Sequence, residues 1–247
     1  MSLTEQDLQQ IANAAYVASS QALTRFFRDA EQHMYLDATR TTSGFILEKM
    51  PKAKLCRQEK YPNSKGDIEL IEYMMGFMPQ NDDLVLEFGS YDGRSTQWLS
   101  QFSDTTLYVF DSFTGLTEDW FLDAKKGSFN TNGNPPFLNE RISVVKGEFL
   151  ETIPNFLQLT PKMAKMVYIN CKLYSTSKFV LSQIVGRLKP GSMIILDGFF
   201  NYPSWQDHVF KAFHEFVDQY GIDYEYLAYA PSWFSVGIVV NKINKPV

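Results

Sequence analysis

Leu84-Val-Leu-Glu-Phe-Gly-Ser-Tyr-Asp-Gly-Arg-Ser95 is an apolar run that ends in a carboxylate and two glycines. It reads as a buried strand, a tight glycine turn and a helix that starts at about Arg94. Leu107-Tyr-Val-Phe-Asp111 follows as a second apolar strand with Asp111 at its carboxyl end. In a doubly wound sheet, ligands sit outside the carboxyl ends of the strands, where loop glycines let the backbone approach. An acid closing the second strand is placed to bind a ribose diol, which suits a nucleoside-containing cofactor.

A dinucleotide fingerprint requires G-x-G-x-x-G, with a pyrophosphate on the helix N-terminus. This chain has only Gly89 and Gly93 in the turn, directly preceded by Glu87. A carboxylate there repels a pyrophosphate and attracts the ammonium of an amino-acid moiety. The pattern E-x-G-x-x-x-G therefore favours S-adenosylmethionine over a nicotinamide dinucleotide, and it ranks an oxidoreductase last.

Outward from this core the chain alternates strands and helices, as a parallel sheet requires. Strands are expected at 142–145, 166–169 and 193–196, the last ending at Asp197. Ser175–Leu188 is an expected helix with Leu181, Ile184, Val185 and Leu188 on one face, stopped by Lys189-Pro-Gly. Trp205, Val209, Phe213, Phe216 and Tyr220 stripe the next helix as core contacts, and Tyr224–Ala228 with Phe234–Val240 form a terminal hairpin. The fold class is thus α/β, a Rossmann-like sheet of seven strands with the last in an antiparallel hairpin. Dehydrogenases usually continue with parallel strands instead.

Before the core, residues 4–30 read as one amphipathic helix carrying Leu8, Ile11, Ala15, Tyr16, Leu23, Phe26 and Phe27 at helical spacing. Residues 31–66 are mixed and polar, broken by Pro51, Pro62 and Gly66, and read as a short helix and a loop over the core. A helix from about Asp67 to Phe77 leads into the first core strand. The expected division is a helical cap over 1–66 and a cofactor-binding domain over 67–247.

At 247 residues, with 20 Phe and 13 Tyr, the chain can bury a large core. Its net charge of −5, with both signs interspersed, argues against nucleic acid as a partner. Cys56 and Cys171 are too few for a disulfide framework, and no C-x-x-C suggests zinc. No signal-peptide pattern opens the chain and no apolar run is long enough to span a membrane, so a cytoplasmic protein with a small-molecule partner is expected. A homodimer is the oligomer considered.

Phe110-Asp-Ser-Phe-Thr-Gly-Leu116, Val145-Lys-Gly-Glu-Phe-Leu-Glu-Thr-Ile-Pro154, Ile169-Asn-Cys-Lys-Leu-Tyr-Ser-Thr176 and Pro190-Gly-Ser-Met-Ile-Ile-Leu-Asp197 occur in this order. As a series they resemble the core motifs of macrocin O-methyltransferase-like enzymes, class I methyltransferases that finish macrolide sugars and related natural products. The resemblance covers roughly residues 80–240. It implies that Glu87, Gly89 and Ser95, with Ser90 and Tyr91 in the turn itself, surround the methionine part of the cofactor. It implies Asp111 as the ribose-binding acid beside Ser112 and Phe113, and Gly147, Glu148 and Phe149 at the adenine. Asn170 is carried over to the cofactor site as well.

The departures from the family matter more. The family reads Ile-Asp-x-Asp-Leu-Tyr after the fourth strand and Asp-Asp or Asp-Glu after the fifth, acids that bind a divalent cation and supply a base. Here Asn170, Lys172 and Gly198 stand at three of those positions, and Asp197 alone remains. Hard cations need oxygen ligands, usually with one or two carboxylates, so no catalytic metal is expected. Lys172 then becomes the candidate base or oxyanion partner, or simply the counter-ion of Asp197, and His208 is a second candidate base. The connection from Thr117 to Glu140, with Trp120, Phe121, Phe129 and Phe137, is the expected acceptor-binding loop. The reading is metal-independent O-methylation of a small, natural-product or sugar-like acceptor. Its alternative is a cofactor-binding homologue that does not methylate and serves as a regulatory or partner subunit.

Overall fold

The computed structural model describes residues 4–64, 66–121, 124–135 and 140–245. The elements in chain order are α1 (Glu5–Arg28), α2 (Ala30–Lys49), β1 (Lys54–Leu55), α3 (Ile68–Gly76), β2 (Leu84–Phe88), α4 (Arg94–Gln101), β3 (Leu107–Asp111), β4 (Ile142–Lys146), α5 (Phe149–Leu159), β5 (Ala164–Ile169), α6 (Tyr174–Ile184), β6 (Met193–Leu196), α7 (Val209–Tyr220), β7 (Ile222–Ala230) and β8 (Ser235–Ile243).

The strands form one sheet in the order β1-β7-β8-β6-β5-β2-β3-β4. β6, β5, β2, β3 and β4 run parallel, whereas β8 inserts antiparallel between β6 and β7. The order reverses beside β2, which opens the crevice at the carboxyl ends of β2 and β5. Side-chain alternation divides the sheet into two faces. Leu86 and Phe88 of β2 pack with Val180, Leu181 and Ile184 of α6 and Val209, Phe213 and Phe216 of α7. Val85 points the other way, into a cluster with Leu70, Ile71 and Met74 of α3 and Leu99 of α4. The central strands are largely apolar on both faces because helices cover both.

The sheet has eight strands rather than seven, because Lys54–Leu55 pairs in parallel with Ala228–Tyr229 of β7. The expected short helix after residue 30 is instead the 20-residue α2. Asp29 caps it by accepting from the Gln32 N–H. α2 is tied to the last quarter of the chain. Thr42 is buried and its hydroxyl accepts from the Asn201 N–H, Thr41 accepts from the Trp205 indole, and Phe45 packs edge-on to Phe210. α1 does form over the expected residues, but Leu8, Ile11, Tyr16 and Leu23 are all more than half exposed. The side chains of Phe26 and Phe27 lie outside the described set. Trp205 sits in a short 3-10 turn ahead of α7 rather than on the helix itself. No described helix is long and apolar enough to cross a membrane.

Candidate active site

The first turn is shaped by a steric demand. Gly89 has φ +86°, and a Cβ there would lie 2.7 Å from the Asn170 carbonyl oxygen. Only glycine permits this approach of the β2 and β5 ends. Asp111 then holds the turn open as a cradle. One of its oxygens accepts from the Ser90 N–H at 2.7 Å and the Tyr91 N–H at 3.0 Å, and the other accepts from the Phe113 N–H at 2.7 Å. A carboxylate has about four lone-pair sites. Three backbone donors therefore leave Asp111, which lines the cavity, able to take a ligand hydroxyl.

The cavity has a volume of about 310 Å³, within the range of small-molecule sites. Gly89, Ser90, Tyr91, Ser95, Asp111, Ser112, Gly147, Glu148, Phe149 and Asn170 all line it. So do Lys172 and Asp197. From the connection after β3, Trp120 and Phe129 reach the wall, whereas Phe121 packs on Tyr202 with ring centroids 4.6 Å apart. Phe137 lies outside the described residues.

Three of the expected site residues, Glu87, Phe113 and His208, do not line the cavity. Glu87 is fully buried and is not part of the wall. It shares the face of Val85, so it points toward α4, where the Ser95 hydroxyl donates to it at 2.5 Å and that of Thr96 at 2.6 Å. Burial pushes its carboxyl up to about 8, against the pull of those two hydroxyls. Glu87 thus fixes the first turn of α4. The Phe113 side chain is fully buried in the core on the α3 side, and only its N–H serves the site. His208 does not line the cavity either. It is half-buried against Tyr202 and Trp120, with ring centroids 6.1 and 6.5 Å away, and its ring nitrogen lies 3.4 Å from the Ser204 hydroxyl. Burial lowers its proton affinity.

The structure accommodates Lys172 locally. Its backbone is left-handed, φ +61°, an uncommon state for a residue other than glycine. Its ammonium forms an ion pair with Asp197 and stands 5.7 Å from the centroid of the Trp120 ring. Gly198 makes room for it. A Cβ at residue 198 would lie 3.2 Å from the Lys172 Cδ, and the glycine has φ +72°. A carboxylate at 198 and a lysine at 172 therefore compete for one space.

Asn170 offers an amide, Gly198 offers no side chain, and one oxygen of Asp197 already faces an ammonium. Among the described residues no group of three or more His, Cys, Asp or Glu could hold a metal ion.

Among the wall residues that the sequence reading did not assign are Asp67, Tyr168, Trp233 and Phe234. Tyr168 follows Met166 on the α3 face of β5, and Asp67 precedes α3. The Tyr168 hydroxyl donates toward the Asp67 carboxylate, 3.0 and 3.1 Å from its two oxygens, and lies 3.4 Å from an Asp197 oxygen. A Gly-Asp pair before a helix was the available signal for Asp67. Strand alternation gave Tyr168 a face but no partner.

A parallel sheet with a terminal antiparallel hairpin, a glycine cradle after its first core strand and an acid after its second define the class I methyltransferase architecture. Residues 86–199 match a family described as a methyltransferase domain. That match spans the glycine turn, Asp111 and Asn170, and S-adenosylmethionine is the cofactor of such a domain. Among solved structures, CalS11, a calicheamicin methyltransferase, aligns with TM-score 0.57 and 17% identity over 97% of this chain and 94% of that one. The O-methyltransferase NovP aligns with TM-score 0.50 and 17% identity over 71% of this chain and 78% of that one. At such identities the likeness is one of fold. A search of curated proteins finds no match.

Proposed function

We propose that this chain transfers the methyl group of S-adenosylmethionine to a hydroxyl of a small acceptor without a divalent metal, as a diverged relative of the macrocin O-methyltransferase-like enzymes. The observation that carries this reading is the Lys172–Asp197 ion pair on the cavity wall, at the positions where the family's metal-binding acids would stand. The Asp111 cradle receives the nucleoside end, and the backbone around Gly89 and Asn170 adjoins the methionine end.

The bound cofactor supplies a methyl already activated on a sulfonium, so the chain's own residues need only orient the acceptor and manage one proton. An acceptor hydroxyl beside the ion pair meets a carboxylate oxygen of Asp197, which takes its proton. The Lys172 ammonium faces the negative charge that develops on the acceptor oxygen, doing in part what a metal ion would do. Trp120 stands beside the ammonium, with its ring centroid 5.7 Å away, and adds a cation–π contact. Trp120, Phe129, Trp233 and Phe234 give the acceptor side an aromatic wall, which suits a ring-bearing molecule. A sugar or natural-product acceptor accords with the description of CalS11 as a TDP-rhamnose 3'-O-methyltransferase.

The test is methyl transfer from labelled S-adenosylmethionine to a panel of nucleotide-linked and free deoxysugars and phenolic natural products, with and without excess chelator. Turnover that survives the chelator is expected. Turnover abolished by chelator and restored by Mg²⁺ would refute the metal-independent reading. Cofactor binding without transfer across the panel would favour the non-methylating homologue.

A further inference from the structure

Tyr168 and Asp67 extend the ion pair into a chain of four polar groups along the cavity wall. We propose that Asp67, through the Tyr168 hydroxyl, is the terminal acceptor for the proton that Asp197 removes from the methyl acceptor. This deepens the methyl-transfer reading above and rests on it.

Hydrogen-bond polarity gives the chain its direction. A phenol has one proton and two acceptor lone pairs. The Tyr168 proton is directed to Asp67, whose oxygens are 3.0 and 3.1 Å away, so the phenol lone pairs are left toward Asp197 at 3.4 Å. An anionic Asp197 has nothing to donate to them, but an Asp197 that has just gained a proton does. The sequence of events then balances. The acceptor O–H bond breaks and its proton goes to Asp197. The oxygen's electron pair forms the new O–C bond as the C–S pair returns to sulfur. The Asp197 proton passes to the Tyr168 oxygen while the Tyr168 proton passes to Asp67. Asp197 is again an anion beside the Lys172 ammonium, and Asp67 is neutral. Because Asp67 also lines the cavity, its proton has a route to water once the product leaves.

The surroundings of Asp67 suit it to hold a proton. It is 5% exposed, and burial together with the Asp197 charge raises its carboxyl to about 6, opposed by hydrogen bonds from Ser235 and Tyr168. The other ionisable groups whose charge couples to it are Glu87 on β2, Tyr168 on β5 and Cys56 just after β1. Lys172 meets the chain at its far end, on Asp197. A proton left on Asp197 would forfeit the ion pair, whereas a proton on Asp67 relieves a buried charge.

The experiment is carboxyl-carbon NMR on full-length protein labelled with [¹³C]aspartate, titrated from pH 4 to pH 8. Asp67→Asn and Asp197→Asn assign the two signals by removing one each. In the parent protein the Asp67 signal should titrate near pH 6, and the Asp197 chemical shift should follow it. Tyr168→Phe keeps the ring and deletes the hydroxyl. In it Asp67 should still titrate, while Asp197 loses most of that response. Should that variant fail to fold, Asp67→Asn alone should abolish the Asp197 inflection. An Asp197 signal that ignores the Asp67 titration in the parent, or full coupling retained in Tyr168→Phe, overturns the relay. Calorimetry with S-adenosylhomocysteine accompanies both proteins. Binding by both assigns the uncoupling to the missing hydroxyl, and no binding by the parent overturns the methyl-transfer reading and the relay with it.

Discussion

Glu87→Gln should make this protein less sensitive to alkali. Glu87 is fully buried between β2 and α4, with hydroxyls but no cation against it. Its carboxyl is raised from 4.5 to about 8 in the fold, chiefly by burial. A folded-state pKa above the unfolded one means that the folded state binds the proton more tightly. Its contribution to stability is complete below about pH 4.5 and is lost as pH rises through 8. At about 1.4 kcal/mol per pH unit between the two values, the loss approaches ~5 kcal/mol above pH 8. Gln has the same shape, can donate to one hydroxyl and accept from the other, and never ionises. For a chain of this size each kcal/mol moves the melting temperature by roughly 2–4 °C, so the effect is on the order of 10 °C. Thermal melts followed by circular dichroism at half-unit steps from pH 5 to pH 8.5 would measure it. The parent should lose stability across this range much more steeply than Glu87→Gln. Asp67 acts in the same direction near pH 6, and His208 and His214, lowered by burial, act in the opposite one, but all three are common to both proteins. Parallel stability curves for the two proteins would refute the assignment of a buried, protonated Glu87.

Asp111→Ala removes the acceptor for three turn amides along with any ligand hydroxyl contact. It should weaken S-adenosylhomocysteine binding by at least about 1.5–3 kcal/mol in calorimetry; unchanged affinity would place the nucleoside elsewhere. Gly89→Ala forces a methyl against the Asn170 carbonyl at a positive φ, so both the melting temperature and cofactor affinity should fall, and an unperturbed variant would contradict the close approach. Lys172→Met should cut methylation by roughly 10²–10⁴-fold while S-adenosylhomocysteine affinity stays near normal. A variant that methylates as fast as its parent would leave Lys172 a structural role only.

What could be read in the sequence was whatever a short window encodes. The strands at 84–88, 107–111 and 193–196 are apolar runs bounded by turn residues, and the helix after Gly93 starts where the glycine turn releases the chain. α2 was harder to see, because Thr41-Thr-Ser-Gly44 reads as loop chemistry in isolation. It is held by contacts to Asn201, Trp205 and Phe210. A two-residue strand such as Lys54–Leu55 has no periodicity to read. The cavity wall was legible where motifs carry it, at Ser90, Asp111, Gly147 and Lys172. The burial of Glu87 against Ser95 and Thr96 was not legible, because a strand residue's neighbours depend on which face it occupies, and only the packed sheet sets that. Asp67 and Tyr168 are 101 residues apart, and no local pattern joins them.

The pairing of β1 with β7 has a consequence for how the chain comes to be folded. A ribosome releases Lys54 and Leu55 early, yet their partners Ala228 and Tyr229 are made near the end of synthesis. The anchors of α2, from Asn201 to Phe210, are also made late. At roughly 5–20 residues per second the wait is on the order of ten seconds or more. During that time Tyr35, Phe45 and Ile46, which end up packed on the core, have no surface to join. The central strands from β2 to β6 can meanwhile assemble in the order they emerge. The amino-terminal segment is therefore the last part of the nascent chain to find its place.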